Sequence, residues 1–161
     1  MASTQLGDWP EYFASLSGGN GDALGPTDWV SLNQLEVDLY GGLIADLDPM
    51  HNDPDWAPGI ERWGGTIVIG SQVLAMLPQF LAQHGFPVNA PGVHFAPLAL
   101  PRVRFVSPLP VDHRARDRAR VIEVSEGGSR SWTVRTEHTI EREGHDRPFM
   151  FAEFVSRFTE I

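Results

Sequence analysis

The stretch TIVIGSQVLAMLPQFLAQHG, residues 66–85, decides the fold. Its apolar side chains are distributed on all faces of a helical wheel, so a helix formed from this stretch is expected to be buried all round. Gly85 suits a helix C-terminus, and Pro78 lacks a backbone N–H, which predicts a kink or an end at that position. The stretch is too short to span a membrane. We therefore predict a long buried central helix.

The period of the hydrophobic pattern changes to two after this stretch, which is typical of β-strands. The turn sequences EGGS (126–129) and EGHD (143–146) separate the last three strand segments, as hairpin connections would. The pattern predicts an α+β fold in which an antiparallel sheet wraps the central helix. The predicted strand segments cover residues 102–106, 114–124, 129–142 and 149–158.

The N-terminal part of the chain contains a glycine-rich stretch over residues 17–27, which reads as a linker after the short segment DWPEYFASL (8–16). We expect an N-terminal segment and linker over 1–23 and one domain over 24–161, since 161 residues fit one ordinary domain.

Two shorter helices are predicted before the central stretch. Ser31 followed by Gln34 has the form of a capping box, and leucines at helical spacing continue up to a stop at Pro49. Asp53 followed by Pro54 predicts the start of the second helix. The residues at helical spacing are Leu35, Leu39, Leu43 and Ile44.

The charged residues limit the possible partners. The net charge of −9 argues against general affinity for nucleic acid or for anionic membranes. All 12 basic residues are arginines, and six of them fall within residues 102–120. This run is either a phosphate-facing patch or the polar outer face of a strand. The N-terminal MASTQLGDWP lacks the basic and apolar regions of a signal peptide, so we expect a soluble, cytoplasmic protein.

The absence of cysteine and lysine excludes several kinds of chemistry. Disulfides, thiolate metal ligands and cysteine nucleophiles need cysteine, while the P-loop and Schiff-base enzymes need lysine. Asp, Glu, His, Ser, Thr, Tyr and Arg remain as candidates for catalysis.

The most unusual polar cluster is IADLDPMHND, residues 44–53, which places three aspartates around one histidine. A solvated turn would explain these residue types without any chemistry. A calcium loop is disfavoured, because His51 occupies the place of the required glycine and Ala57 that of the final glutamate. The other histidines have no spacing typical of metal ligands and are expected to be structural or exposed. We expect no metal and no cofactor.

Three blocks of the sequence, residues 24–57, 63–78 and 100–111, resemble the signature blocks of the MaoC-like hydratases, in particular their NodN-like branch. Members of that family have a single-domain hot-dog fold and are usually homodimers. They add water to, or remove it from, enoyl and (R)-3-hydroxyacyl thioesters of coenzyme A or acyl carrier protein. The resemblance implies the same fold, a lyase activity and an acyl-thioester substrate for this chain.

The resemblance also assigns roles to residues. The family motif D-x-N-P-x-H places an acid–base pair on Asp46 and His51, with Pro49 matching. The block GGTIVIG places the backbone N–H of Gly70 as donor to the thioester oxygen. Ile69 stands where the family usually has histidine, and Asp48 where it more often has an amide. We expect both to contact substrate and to mark a specialised biosynthetic acyl group.

Two alternatives to a hydratase stay open. One is a different enzyme on the same fold, a thioesterase or a pathway-specific cyclase. The other is an acyl-binding protein without catalytic activity. The Asp46–His51 pair disfavours this second alternative, because packing does not require an Asp and a His at that spacing.

Overall fold

The computed structural model of the protein describes residues 9–17, 23–56, 63–128 and 130–161. Its strands form one antiparallel sheet in the order β1-β3-β4-β5-β2, which confirms the predicted α+β class. The strands are β1 (Val30–Ser31), β2 (Val93–Phe105), β3 (Arg114–Gly127), β4 (Ser131–Arg142) and β5 (Met150–Glu160). The helices are α1 (Trp9–Ser17), α2 (Gln34–Ile44), α3 (Pro49–Asn52), α4 (Gly70–Ala75) and α5 (Leu77–Gln83).

The central stretch folds as two short helices, so the predicted long helix is interrupted, in agreement with the kink or end predicted at Pro78. The helix breaks at Met76, and Pro78 falls in the first turn of α5, where its missing N–H needs no partner. The helices are also not buried on every side, because Ser71 and Gln79 are exposed. The predicted stop is confirmed, since Gly85 adopts a φ of 92° that favours glycine.

Helix α1 belongs to the same hydrophobic core as the sheet. Phe13 is fully buried and stacks on Trp132 with ring centroids 4.7 Å apart. It also contacts Phe158, at 5.2 Å between centroids. Part of the expected linker, residues 18–22, lies outside the described residues.

Helix α2 is capped by residues other than those predicted. The Asn33 side chain accepts a hydrogen bond from the Glu36 N–H, and the Glu36 carboxylate accepts one from the Asn33 N–H. Ser31 instead pairs with Arg114 in the sheet, so the capping box predicted at Ser31 is wrong. Val37 and Gly41 are the buried residues of α2, whereas the leucines at helical spacing are exposed.

The short helix predicted to begin at Asp53 stays a prediction, because residues 57–62 lie outside the described residues. Within them, the Asp53 carboxylate accepts hydrogen bonds from the N–H groups of Asp55 and Trp56, at 3.0 and 3.1 Å, as an N-cap does. Helix α3 begins earlier, with Asp48 as N-cap and Pro49 at its start, and Asp53 is its C-cap. The first Asp-Pro pair, Asp48 and Pro49, thus starts a helix that was not predicted.

The arginines of β3 form a ladder of ion pairs with glutamates that follow the same face of β4. Arg116 and Arg118 both contact Glu141, at 2.7 and 2.6 Å, and Arg120 contacts Glu137 at 2.8 Å. The arginines of β3 therefore form a polar outer strand face, as one of the two interpretations expected for the run. Among the helices that the structure describes, none is long and apolar enough to cross a membrane.

Candidate active site

A pocket of about 450 Å³ opens between the α2–α3 region, the start of α4 and the C-terminal end of β2. It brings together four of the five residues predicted from the sequence, namely Asp46, His51, Ile69 and Gly70. The fifth, Asp48, is exposed outside this lining, and its carboxylate accepts a hydrogen bond from the Met50 N–H at 3.0 Å. The role predicted for Asp48 in substrate binding stays a prediction.

His51 is buried, and a hydrogen bond to the backbone holds its ring. Nδ1 lies 2.7 Å from the carbonyl oxygen of Ile67. Because a carbonyl only accepts, Nδ1 carries the hydrogen, and in the neutral ring Nε2 keeps the lone pair. A histidine held in this tautomer has the nitrogen that a general base needs.

Asp46 follows a sharp turn at the end of α2. Ala45 adopts the left-handed conformation with a φ of 59°, and the Asp46 N–H donates to the carbonyl of Gly41 at 3.0 Å. These contacts direct Asp46, which is half-buried, to the wall of the pocket that also contains His51. The pocket therefore holds a carboxylate and an imidazole from two adjacent turns.

Gly70 is the first residue of α4, where backbone N–H groups have no partner within the helix. A Cβ at this position would lie 2.8 Å from Cε1 of Phe105, so no larger residue fits without moving the phenyl ring. The preceding Ile69 is buried and provides apolar wall beside the N–H. The site thus combines a donor that has no acceptor within its own helix with a close apolar lining.

Sequence reasoning missed the aromatic walls of the pocket. Trp63, Phe105 and Phe149 line it from three separate parts of the chain. Phe105 lies within the third block of the family resemblance, which was the only available signal for it. The pocket is therefore more aromatic than the motif alone indicates.

A second Asp–His arrangement lies in the core. Asp117 Oδ2 is 2.6 Å from Nδ1 of His138 and 3.1 Å from Nε2 of His84, and all three side chains are buried. Burial alone would raise the pKa of Asp117, but the hydrogen bonds and charges of the two histidines outweigh it and lower the pKa. Within the described ranges, no group of His, Cys, Asp or Glu is arranged to hold a metal ion.

The fold defines the class of protein first. An (R)-hydratase from A. caviae involved in PHA biosynthesis has a structure that matches with a TM-score of 0.64, at 21% identity, over 84% of this chain and 93% of that chain. A monoamine oxidase regulatory protein from Archaeoglobus matches with a TM-score of 0.68, at 17% identity, over 88% and 90%. The architecture is thus a hot-dog fold, as the resemblance implied.

Sequence comparison then identifies the family, although no family model matches the chain. The 3-hydroxyacyl-thioester dehydratase Z of Mycobacterium tuberculosis is 33% identical over 92% of this chain and 96% of its own length. Nodulation protein N of Rhizobium leguminosarum bv. viciae is 28% identical over 84% of each chain. The chain belongs to the MaoC-like hydratase and dehydratase family, in its NodN-like branch, and is a lyase.

Proposed function

We propose that the protein hydrates enoyl thioesters and dehydrates (R)-3-hydroxyacyl thioesters, carried on coenzyme A or acyl carrier protein, with Asp46 and His51 as the acid–base pair. The observation that carries this proposal is the shared pocket lining of Asp46, His51 and Gly70. The name of the mycobacterial relative, a 3-hydroxyacyl-thioester dehydratase, supports the same substrate class.

The pair acts on one water molecule in this mechanism. Asp46 and His51 take a proton from the water as its oxygen bonds to C3 of the enoyl group, and they return a proton to C2. The pair ends in its starting protonation state, so hydration needs no other reactant. Dehydration is the reverse sequence. The hydrogen bond from His51 Nδ1 to Ile67 supports this role, because it leaves Nε2 as the basic nitrogen.

The Gly70 N–H stabilises the negative charge that develops on the thioester oxygen. Its place at the start of α4 supports this role, since the helix leaves this donor without an internal acceptor. The missing side chain lets a carbonyl approach beside the ring of Phe105.

The acyl group is proposed to be specialised. Ile69 is buried next to Gly70, and Phe105 and Phe149 extend the apolar wall. Short, simple enoyl thioesters fill such a pocket poorly, so a bulkier biosynthetic acyl group should fit better. A panel of trans-2-enoyl-CoA substrates of increasing size measures this preference, and a highest kcat/KM on the shortest member would contradict it.

The proposed hydratase activity is tested by incubating the protein with trans-2-enoyl-CoA substrates, crotonyl-CoA included, and analysing the products. The proposal is supported if wild type forms a 3-hydroxyacyl thioester and His51→Ala does not. Release of free thiol would identify a thioesterase instead, and binding without any product would identify an acyl-binding protein.

We also propose a homodimer formed through edge strands and helix packing. Strand β2 lies at the end of the sheet and exposes Leu98 and Leu100, while α2 exposes leucines along one face. Light scattering at micromolar concentration tests this, and a monomer would refute it. The cytoplasmic location expected from the sequence stays a prediction.

A further inference from the structure

We infer that two amide side chains outside the pocket, Asn52 and Gln34, are positioning residues for the proposed acid–base pair, Asn52 for Asp46 and Gln34 for His51. This inference rests on the proposed function. Neither side chain lines the pocket, and each donates a hydrogen bond to the backbone carbonyl of the residue it positions.

Asn52 fixes the turn that carries Asp46. Its Nδ2 donates to the carbonyl of Asp46 at 3.2 Å and to the carbonyl of Asp48 at 3.3 Å. Two carbonyls can only accept, so the amide must present its nitrogen to them. One side chain at the end of α3 therefore ties together the chain on both sides of Leu47.

The packing around Asn52 leaves it little freedom. A Cβ on Gly41 would lie 2.9 Å from Asn52 Oδ1 and 2.7 Å from the Asp46 carbonyl oxygen. Asn52 Oδ1 is buried, with no hydrogen-bond partner among the described residues. The amide thus keeps its orientation at the expense of one unsatisfied acceptor, which indicates that its donors are what the position requires.

Gln34 fixes both anchors of His51. Its Nε2 donates to the His51 carbonyl at 2.7 Å, and its Oε1 accepts from the Thr66 hydroxyl at 2.5 Å. The residue after Thr66 is Ile67, whose carbonyl holds the His51 ring. Gln34 therefore connects the backbone of His51 to the segment that orients its imidazole.

The expected effect is on turnover and not on substrate affinity. A displacement of about 1 Å in a catalytic group can lower a rate roughly a hundredfold. Loss of the amide donors should therefore lower kcat by about ten- to a hundredfold, while KM changes little because the pocket lining is intact.

The experiment uses variants that preserve shape and remove the donor, Asn52→Asp and Gln34→Glu. Matched controls introduce the same charge at exposed amides, Asn89→Asp and Gln79→Glu. For each variant, kcat and KM are measured across pH on the best trans-2-enoyl-CoA, together with Tm and a crystal structure. We expect a lower kcat, a near-constant KM and a kcat–pH profile that moves along the pH axis, with the controls resembling wild type.

The outcomes separate this inference from the proposed function. If wild type is active, His51→Ala is inactive and the two amide variants behave as their controls, the inference alone is wrong. A kcat loss that is equal at every pH and parallels a fall in Tm would also overturn it, because that pattern is loss of folded protein. If wild type and His51→Ala are equally inactive, the proposed function fails. The crystal structures test the positioning roles independently of activity. An unmoved 45–48 turn in Asn52→Asp and an unmoved His51 ring in Gln34→Glu would refute them.

Discussion

The protein contains two Asp–His arrangements in opposite surroundings. In the core, His138 uses both ring nitrogens, Nδ1 toward Asp117 and Nε2 toward the Thr136 hydroxyl at 2.8 Å. In the pocket, His51 is held through Nδ1 alone in the described contacts, and Asp46 is half-buried. The core His138 thus has both ring nitrogens occupied, whereas His51 keeps Nε2 available for the acid–base role that we propose.

The largest effect on activity is expected from substitutions of the pocket pair, Asp46 and His51. Asp46→Asn and His51→Ala should each lower kcat by about 10² to 10⁴, because the two groups act on one water. Thermal unfolding of Asp46→Asn should remain close to wild type, since Asp46 is not part of the core. His51→Ala should fold but with a lower Tm, because it removes a buried ring and its hydrogen bond to Ile67. Near-normal turnover in either variant would show that the pocket pair is not catalytic.

Disabling the core pair should have the opposite result. Asp117→Asn leaves two buried histidines without their carboxylate, and we expect the free energy of unfolding to fall by about 3 kcal/mol. The kcat per folded molecule should not change. Urea unfolding measures the free energy of unfolding, and steady-state kinetics, corrected for the folded fraction, measure kcat. The exposed Asp146→Asn is the control for both. A large kcat loss without destabilisation would mean that the core arrangement takes part in the chemistry.

The stabilisation from Asp117 should depend on pH. Its pKa is lowered in the folded protein, so its contribution is fully present above the unfolded pKa of about 4 and is lost as pH falls through the folded value. The stability difference between wild type and Asp117→Asn should therefore narrow as pH decreases from about 5. Urea unfolding at a series of pH values tests this, and a constant difference would contradict it.

A smaller effect is expected at Asp48, which is exposed outside the pocket lining. Asp48→Asn should raise activity on crotonyl-CoA a few-fold, because it restores the amide that the family more often has. Stability should not change, since asparagine and aspartate cap helices equally well. The idea fails if wild type already exceeds about 10⁴ M⁻¹s⁻¹ on crotonyl-CoA and the variant is slower.

The smallest effect concerns the turn before Asp46. Ala45→Gly should raise the free energy of unfolding by up to about 1 kcal/mol, because Ala45 is in the left-handed region. Ala75→Gly, at the end of α4, is the control and should lower it by about the same amount. Thermal melts compare the two, and equal losses would show that the turn at Ala45 is not strained.

Local pattern predicted the elements better than their ends. Strands β3, β4 and β5 were predicted because their residues alternate, as the buried and half-buried residues of β4 do along its length. Strand β1 was not predicted, and the predicted segment 102–106 covers only the end of β2. The N-cap of α2 was predicted at the wrong residue, because Ser31-x-x-Gln34 and Asn33-x-x-Glu36 both match a capping box. Only the pairing of Ser31 with Arg114 in the sheet distinguishes the two.

The candidate site also has a part that the sequence predicts and a part that it does not. Asp46, His51 and Gly70 were assigned by the family resemblance, and all three line the pocket. The aromatic walls could not be predicted, because they meet only when distant segments pack together. Asp117 could have been found, since β3 alternates and places it inward with Ala115 and Ala119 between outward arginines.

The two prolines of β2 disfavour fibril formation through the edge of the sheet. Pro97 and Pro101 cannot donate to a ladder, and the register of β2 against β5 shifts between residues 97 and 102. A long regular edge would recruit strands from any unfolded chain and extend into fibrils, whereas this edge offers regular pairing only near its two ends. We therefore expect concentrated solutions to stay free of amyloid-like aggregates despite the exposed leucines of the strand.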